Sequence, residues 1–141
     1  MNADAATSRA PKAVRWLAAL HAAYYAVTGV WPIVHVGSFL AVTGPKTDLW
    51  LVQLFGALVC VPALVMGHAA ATGRMPAATF ITAVASTVTL GAGDVIFVAK
   101  GSIGPVYLLD AGVEFTFLAA WSFLAWRSRG AAGSGRGGAA F

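Results

Sequence analysis

Charged residues are scarce in this sequence. They make up 10% of its 141 residues, whereas hydrophobic residues make up 59%, and the mean hydropathy is +0.78. Soluble domains carry roughly a quarter charged residues, so this composition excludes an ordinary soluble domain. It indicates an integral membrane protein.

Cysteine and histidine are also rare. The single cysteine, Cys60, excludes an internal disulfide and a thiol-pair redox motif. It falls in the middle of an apolar run, so we expect a buried structural thiol. The three histidines, His21, His35 and His68, lie on separate segments without the close spacing of metal ligands. We therefore predict no metal site on these residues and no cofactor.

Long hydrophobic runs are what the sequence has in abundance. A helix needs about 20 apolar residues to cross a hydrocarbon core of about 30 Å. Segments of this length occur at 14–32, 49–71, 77–99 and 105–126. We therefore predict an all-α fold, an integral membrane four-helix transmembrane bundle with a short interfacial segment after the first span.

The ends of the chain and of the first span are predicted from local composition. Residues 1–13 are expected to form a flexible N-terminal leader, residues 14–126 the four-span domain, and residues 127–141 a flexible basic tail. Because proline lacks the amide donor and restricts the residue before it, Trp31-Pro32 predicts the end of the first span.

The basic residues are divided unequally between the two predicted membrane faces. Only Lys46 and Lys100 fall on one face. The opposite face carries the remaining ones: Arg9, Lys12, Arg15, Arg74, Arg127, Arg129 and Arg136. The positive-inside rule then places both termini in the cytoplasm of a multi-pass cell-membrane protein. The net charge of +4 is an orientation signal in this interpretation, so we predict the lipid bilayer, and no nucleic acid, as a partner.

Three acidic residues, Asp94, Asp110 and Glu114, lie inside predicted spans. A carboxylate in hydrocarbon costs several kcal/mol, so such residues usually face the bundle interior and mark function. A helical rise of about 1.5 Å per residue places Asp94 and Asp110 at similar depths near the outer face. On the fourth span, helical spacing puts the following residues on one face: Tyr107, Asp110, Glu114, Phe117 and Trp121.

Other spans present polar residues at about the same depth. Thr87 and Gly91 share a face with Asp94. On the first span, His21, Thr28 and either Tyr24 or Tyr25 share a face, and Gln53 on the second span lies at a similar level. We predict that these faces converge on one outward-facing ligand-binding pocket, formed by Asp94, Asp110, Glu114, Tyr107, Gln53, Tyr24 and Thr28. No catalytic residue can be assigned.

The chemistry of the predicted site follows from its charge. No basic residue is expected at the depth of the acids. Like charges a few ångströms apart cannot all ionise in a low dielectric, so at least one carboxyl should retain a proton. Such a site suits a cationic ligand, a metal ion or a proton relay. In the structural alternative, the protonated acids only hydrogen-bond one helix to another.

Small residues recur at four-residue spacing along the third span, at Thr79, Ala83, Thr87 and Gly91. Small side chains let helix backbones approach closely in lipid, where packing drives helix association. We therefore expect the third span to be the central packing element of the bundle.

Two segments carry a resemblance to known sequences. The first contains Gly29-Val30-Trp31-Pro32, Ser38-Phe39 and the run Val42-Thr43-Gly44-Pro45-Lys46-Thr47-Asp48, followed by Trp50-Leu51-Val52. The second is Val106-Tyr107-Leu108-Leu109-Asp110-Ala111 with Glu114. Together they resemble a group of small uncharacterised bacterial four-span membrane proteins, which brings no known activity. In size and span count, the chain is distantly similar to DoxX-type membrane proteins, and such fold analogy does not give a function.

These observations lead to one main hypothesis and two alternatives. The main hypothesis is a protein that binds a small molecule or cation at the acidic site. A proton-coupled carrier acting as a homo-oligomer is one form of it. The first alternative is a membrane enzyme that uses the acids as general acid and base on a lipid-like substrate. The second is an accessory subunit with protonated structural acids, whose third span docks a partner protein.

Overall fold

The computed structural model describes the chain from residue 9 to residue 134, and its side chains to residue 128. The helices are α1 (Lys12–Val34), α2 (Val36–Thr43), α3 (Leu49–Thr72), α4 (Ala77–Ala99) and α5 (Tyr107–Ser134). No strand occurs among these residues. The predicted all-α class is therefore confirmed.

Four of the helices are long and apolar enough to cross a membrane: α1, α3, α4 and residues 107–128 of α5. They correspond to the four predicted spans and form a four-helix transmembrane bundle. Helix α2, with no buried residue, is the predicted short segment after the first span. Large hydrophobic side chains such as Leu64, Leu109 and Trp126 are exposed on the outside of the bundle, where lipid surrounds a membrane protein.

The first span does not end at Trp31-Pro32 as predicted. Helix α1 contains Pro32 and continues to Val34, and the His35 amide still donates to the Trp31 carbonyl at 2.9 Å. Proline lacks an amide N–H, so the helix loses one backbone hydrogen bond at this position. Its ring is buried beside Gly56 of α3, where no side chain competes for the space.

Helix α5 begins at Tyr107, two residues after Pro105, and continues beyond the predicted span end at Trp126. The first described part of the predicted tail, up to Ser134, is therefore helical. The remaining tail residues, 135–141, and residues 1–8 of the predicted leader lie outside the described residues. Their predicted flexibility stays a prediction.

Helices α1 and α3 make the most extensive helix pair, followed by α4 and α5. Gly29 and Gly56 lie where α1 and α3 meet, and a Cβ added at Gly29 would stand 2.6 Å from the Gly56 carbonyl oxygen. The predicted face of α4, with Thr79, Ala83, Thr87 and Gly91, is buried as expected. The expectation that this helix is the central packing element is wrong, because the most extensive helix pair is formed by α1 and α3, without α4.

The described loops lie at two opposite ends of the bundle. At one end, Arg15 Nε donates to the Ala70 carbonyl at 3.2 Å, and the Ala10 amide donates to the Gly73 carbonyl at 2.9 Å. At the other end, Lys46 Nζ lies 5.4 Å from the centre of the Tyr107 ring. Residues 10–15 and the α3–α4 turn therefore share one end, while the loops after α2 and α4 share the other.

Candidate functional site

Helices α1, α4 and α5 enclose the intramembrane acids. Asp110 and Glu114 lie one turn apart on α5, and Asp94 lies on α4. Gly91 lets α4 approach α5, since a Cβ added there would stand 3.1 Å from Cβ of Glu114. Aromatic residues of α1 complete the enclosure. The helical faces read from the sequence for α4 and α5 thus point toward one another.

Asp94 and Asp110 form the outer part of the site. Their carboxyl groups lie close to each other, and the Tyr24 hydroxyl donates to Asp110 Oδ1. Both acidic side chains are half-buried, although Oδ2 of Asp94 is buried without a hydrogen-bond partner among the described residues. Ionised carboxylates are acceptors only, so these groups can bond to each other only when one of them carries a proton.

Glu114 forms the inner part of the site and is completely buried. The Tyr25 hydroxyl donates to its Oε2 at 2.9 Å, and Nε2 of His21 lies 4.0 Å from the same oxygen. In the described part of the chain, Oε1 has no hydrogen-bond partner. A buried carboxyl with a free oxygen is energetically costly unless it is protonated or hydrogen-bonded. Of the three acids, Glu114 therefore depends most on protonation or hydrogen bonding.

His21 is held in one tautomer by the helix it faces. Trp121 Nε1 donates to His21 Nδ1 at 3.2 Å, and the Phe117 ring stacks on the imidazole with a centroid distance of 4.0 Å. The indole N–H can only donate, so Nδ1 must accept and the proton of the neutral imidazole resides on Nε2. That N–H is on the side of Glu114.

Thr87 closes the site from α4. Its side chain is buried, and its hydroxyl donates to the Ala83 carbonyl at 2.6 Å. The same side chain lies close to those of Tyr25 and Glu114. Since a hydroxyl has one proton and two acceptor lone pairs, Thr87 can accept from a protonated Glu114.

The structure brings together four of the predicted site residues: Asp94, Asp110, Glu114 and Tyr24. Tyr107 lies at the outer edge, where its ring faces Lys46. Thr28 does not reach the acids, because its hydroxyl donates to the Tyr24 carbonyl of its own helix at 2.9 Å. Gln53 is half-buried on α3 and makes no side-chain hydrogen bond to the described residues.

Sequence reasoning left His21, Tyr25, Thr87 and Trp121 out of the predicted site. The sequence pattern that could have identified them is their helical spacing. His21 and Tyr25 lie four residues apart, and two helical turns separate Glu114 from Trp121. That spacing puts them on the correct faces. It does not show that His21 pairs with Trp121, a contact between residues 100 positions apart.

The site has neither a basic partner nor a metal cage within the described residues. No lysine or arginine there comes within ion-pair distance of the three acids, and the only such pair among these residues joins His21 to Glu114. No group of three His, Cys, Asp or Glu residues in residues 9–134 is placed to hold a metal ion. The three acids and their neighbours form a row of hydrogen-bonding groups. The row is half-buried at its outer end and completely buried at its inner end.

Two grooves on the surface of the bundle lie away from this row. Both run between α1 and α3 and meet at Ala22 and Gly67. None of the three acids lines either groove. The acidic site thus lies among α1, α4 and α5, whereas these two grooves lie on the α1/α3 side of the bundle.

No family model, curated protein or solved structure matches this chain. The resemblance to uncharacterised four-span proteins and to DoxX-type proteins therefore stays a prediction. Function must be argued from the site itself.

Proposed function

We propose that this integral membrane protein binds a small cation, or a small molecule bearing a positive charge, at Asp94 and Asp110 near the outer leaflet. The supporting observation is the pair of half-buried carboxyl groups that α4 and α5 bring close together: Asp110 accepts from Tyr24, and Asp94 Oδ2 is buried without a hydrogen-bond partner among the described residues. Among the described residues no lysine or arginine neutralises them. A positive charge is what two such groups lack.

In this proposal the ligand and a proton compete for the same carboxyl pair. Without ligand, one carboxyl keeps its proton and donates to the other, because two adjacent carboxylates repel strongly in a low dielectric. When a cation binds, the proton leaves for the outer solution and both groups face the ligand as carboxylates. The bound charge replaces the lost proton, so the net charge of the site does not change.

Tyr24 and Glu114 have different positions and therefore different proposed roles. The Tyr24 hydroxyl donates to Asp110 and orients that carboxyl toward the ligand. Glu114 is completely buried behind Asp94 and Asp110 and accepts a hydrogen bond from Tyr25. We therefore assign it a role in holding the three helices together. Proton-coupled transport would require a second conformation that opens this inner part.

Proton release provides the test. Purified protein in a weakly buffered detergent solution is mixed with tetramethylammonium or sodium chloride as the probe cation, and an indicator dye reports pH. Wild type should release protons as the cation binds, and variants Asp94→Asn and Asp110→Asn should not. Asp48→Asn, an exposed acid at the start of α3, is the matched control. Equal release from all four proteins would contradict the proposal.

The accessory-subunit alternative is favoured by one observation, the complete burial of Glu114 with its tyrosine and histidine neighbours. Such a contact suits a structural role. However, the α4 face expected to dock a partner, with Thr79, Ala83, Thr87 and Gly91, is buried within this chain. Co-purification of a second membrane protein in stoichiometric amount would favour this alternative over cation binding.

A further inference from the structure

The two grooves between α1 and α3 differ in chemistry along their length. The first groove has a volume of about 580 Å³ and is lined at one end by Lys12, Arg15 and Trp16. The second has a volume of about 390 Å³ and is lined by apolar side chains and the Cys60 thiol: Ala22, Ala23, Ala26, Val30, Cys60, Ala63, Leu64 and Gly67. Together they form one groove along the bundle surface, the α1/α3 groove, with basic residues at one end and apolar residues along the rest of its length.

Arg15 is fixed in position at the basic end. Its Nε donates to the Ala70 carbonyl at 3.2 Å, and the side chain is half-buried. A guanidinium has five N–H donors in a rigid fork, and this geometry suits bidentate phosphate binding. Within the described residues, the only hydrogen bond of this side chain uses Nε. The terminal nitrogens remain available beside the exposed Lys12 ammonium.

The dimensions of the α1/α3 groove fit a membrane lipid. Residues 12 to 30 of α1 span about 27 Å at a rise of about 1.5 Å per residue. One leaflet occupies about half of a core roughly 30 Å thick. An acyl chain that starts beside Arg15 would therefore extend to about Ala26, along walls of alanine and glycine. Trp16, exposed at the same level, is the kind of residue that sits at the headgroup boundary.

We propose that the α1/α3 groove is a binding site for an anionic phospholipid of the surrounding bilayer. The headgroup phosphate contacts Lys12 and Arg15, and one acyl chain lies along Ala22, Ala26 and Gly67. Basic pockets between transmembrane helices at the cytoplasmic surface are known to select anionic headgroups. The site is separate from the acidic site, which lies among α1, α4 and α5, and it does not depend on the function proposed there.

Charge removal at the basic end is the first test. Phosphatidylglycerol and phosphatidylcholine are titrated into purified protein in detergent, and bound lipid is counted by native mass spectrometry. Wild type should bind phosphatidylglycerol more tightly than phosphatidylcholine. The double variant Lys12→Gln/Arg15→Gln should bind phosphatidylglycerol about 30-fold more weakly, since two basic residues near the surface are lost.

The control for charge is Arg74→Gln, which removes a basic residue at the same end of the bundle from the α3–α4 turn. Arg74 does not line the groove. The Arg74→Gln protein should therefore bind phosphatidylglycerol with the affinity of wild type. Equal affinity of wild type for the two lipids, or unchanged phosphatidylglycerol affinity in the double variant, would overturn the proposal.

Filling the apolar part of the α1/α3 groove is the second test. A Cβ added at Gly67 would stand 3.7 Å from Cβ of Ala22, an ordinary contact, so Gly67→Leu should fold and occupy the space of the chain. It should lower the affinity for both lipids at least 10-fold, whereas Gly112→Leu on the open surface of α5 should not. Glycerol phosphate, which has no chain, should not compete. Full lipid affinity in a folded Gly67→Leu protein would overturn the assignment of the acyl chain.

Discussion

The Tyr25 hydroxyl on α1 donates a hydrogen bond to Glu114 Oε2 on α5 at 2.9 Å, and both side chains are almost completely buried. This bond joins the first and last spans at a depth where water cannot replace either partner. It also lies next to His21, whose ring is held by Trp121. The inner part of the acidic site is thus a fixed contact between two helices.

Removing the Tyr25 hydroxyl should destabilise the bundle. The variant Tyr25→Phe leaves Glu114 Oε2 without its donor, and an unsatisfied buried polar group costs about 1–3 kcal/mol. We expect the free energy of unfolding, measured by denaturant titration in detergent micelles, to fall by this amount. The control Tyr107→Phe, at the half-buried outer edge, should change it by less than about 0.5 kcal/mol. A Tyr25→Phe protein as stable as wild type would show that the bond contributes nothing.

The His21 tautomer gives a spectroscopic prediction. Nitrogen NMR of histidine-labelled protein should show His21 as the Nε2–H form, because the Trp121 indole donates to Nδ1. In Trp121→Phe the donor is absent, so the spectrum should shift toward a mixture of tautomers. His68, which is exposed, supplies an internal reference. A wild-type spectrum with the proton on Nδ1 would rule out the geometry described for this pair.

Close packing of α1 on α3 should tolerate no side chain at Gly29. A Cβ there would stand 2.6 Å from the Gly56 carbonyl oxygen, so the helices must separate. Overpacking typically costs about 1–3 kcal/mol, and we expect Gly29→Ala to reduce the unfolding free energy accordingly. Gly93→Ala is the matched control, because nothing lies within 4 Å of its added Cβ. If the two variants are equally stable, α1 and α3 do not meet at these glycines.

Much of the fold can be read from the sequence because hydrophobic length and helical spacing are local properties. The start of α3 and both ends of α4 agree with the predicted spans. The face shared by Asp110, Glu114 and Trp121 also follows from spacing along one helix. Pro32 is the local exception, since its position in the last turn of α1 and its packing on Gly56 make it compatible with a longer helix.

The composition of the site is harder to predict because it depends on how each helix is rotated about its axis. Depth, and for Thr28 also a shared helical face, predicted Thr28 and Gln53 beside the acids, yet neither tells how a helix is rotated against its neighbours. The Thr28 hydroxyl bonds to its own backbone, while Tyr25 points at Glu114. Rotation of α1 is set by its contacts with α3 and α5, which involve residues far apart in the chain.

In the proposed function, Asp94 and Asp110 share a proton that a cation can replace. Infrared spectroscopy of the purified protein at neutral pH tests it directly through the carbonyl band of protonated carboxylic acids. We predict that this band weakens in Asp94→Asn and in Asp110→Asn, weakens when a bound cation displaces the proton, and is unchanged in Asp48→Asn. A band of full intensity in both site variants would contradict the account.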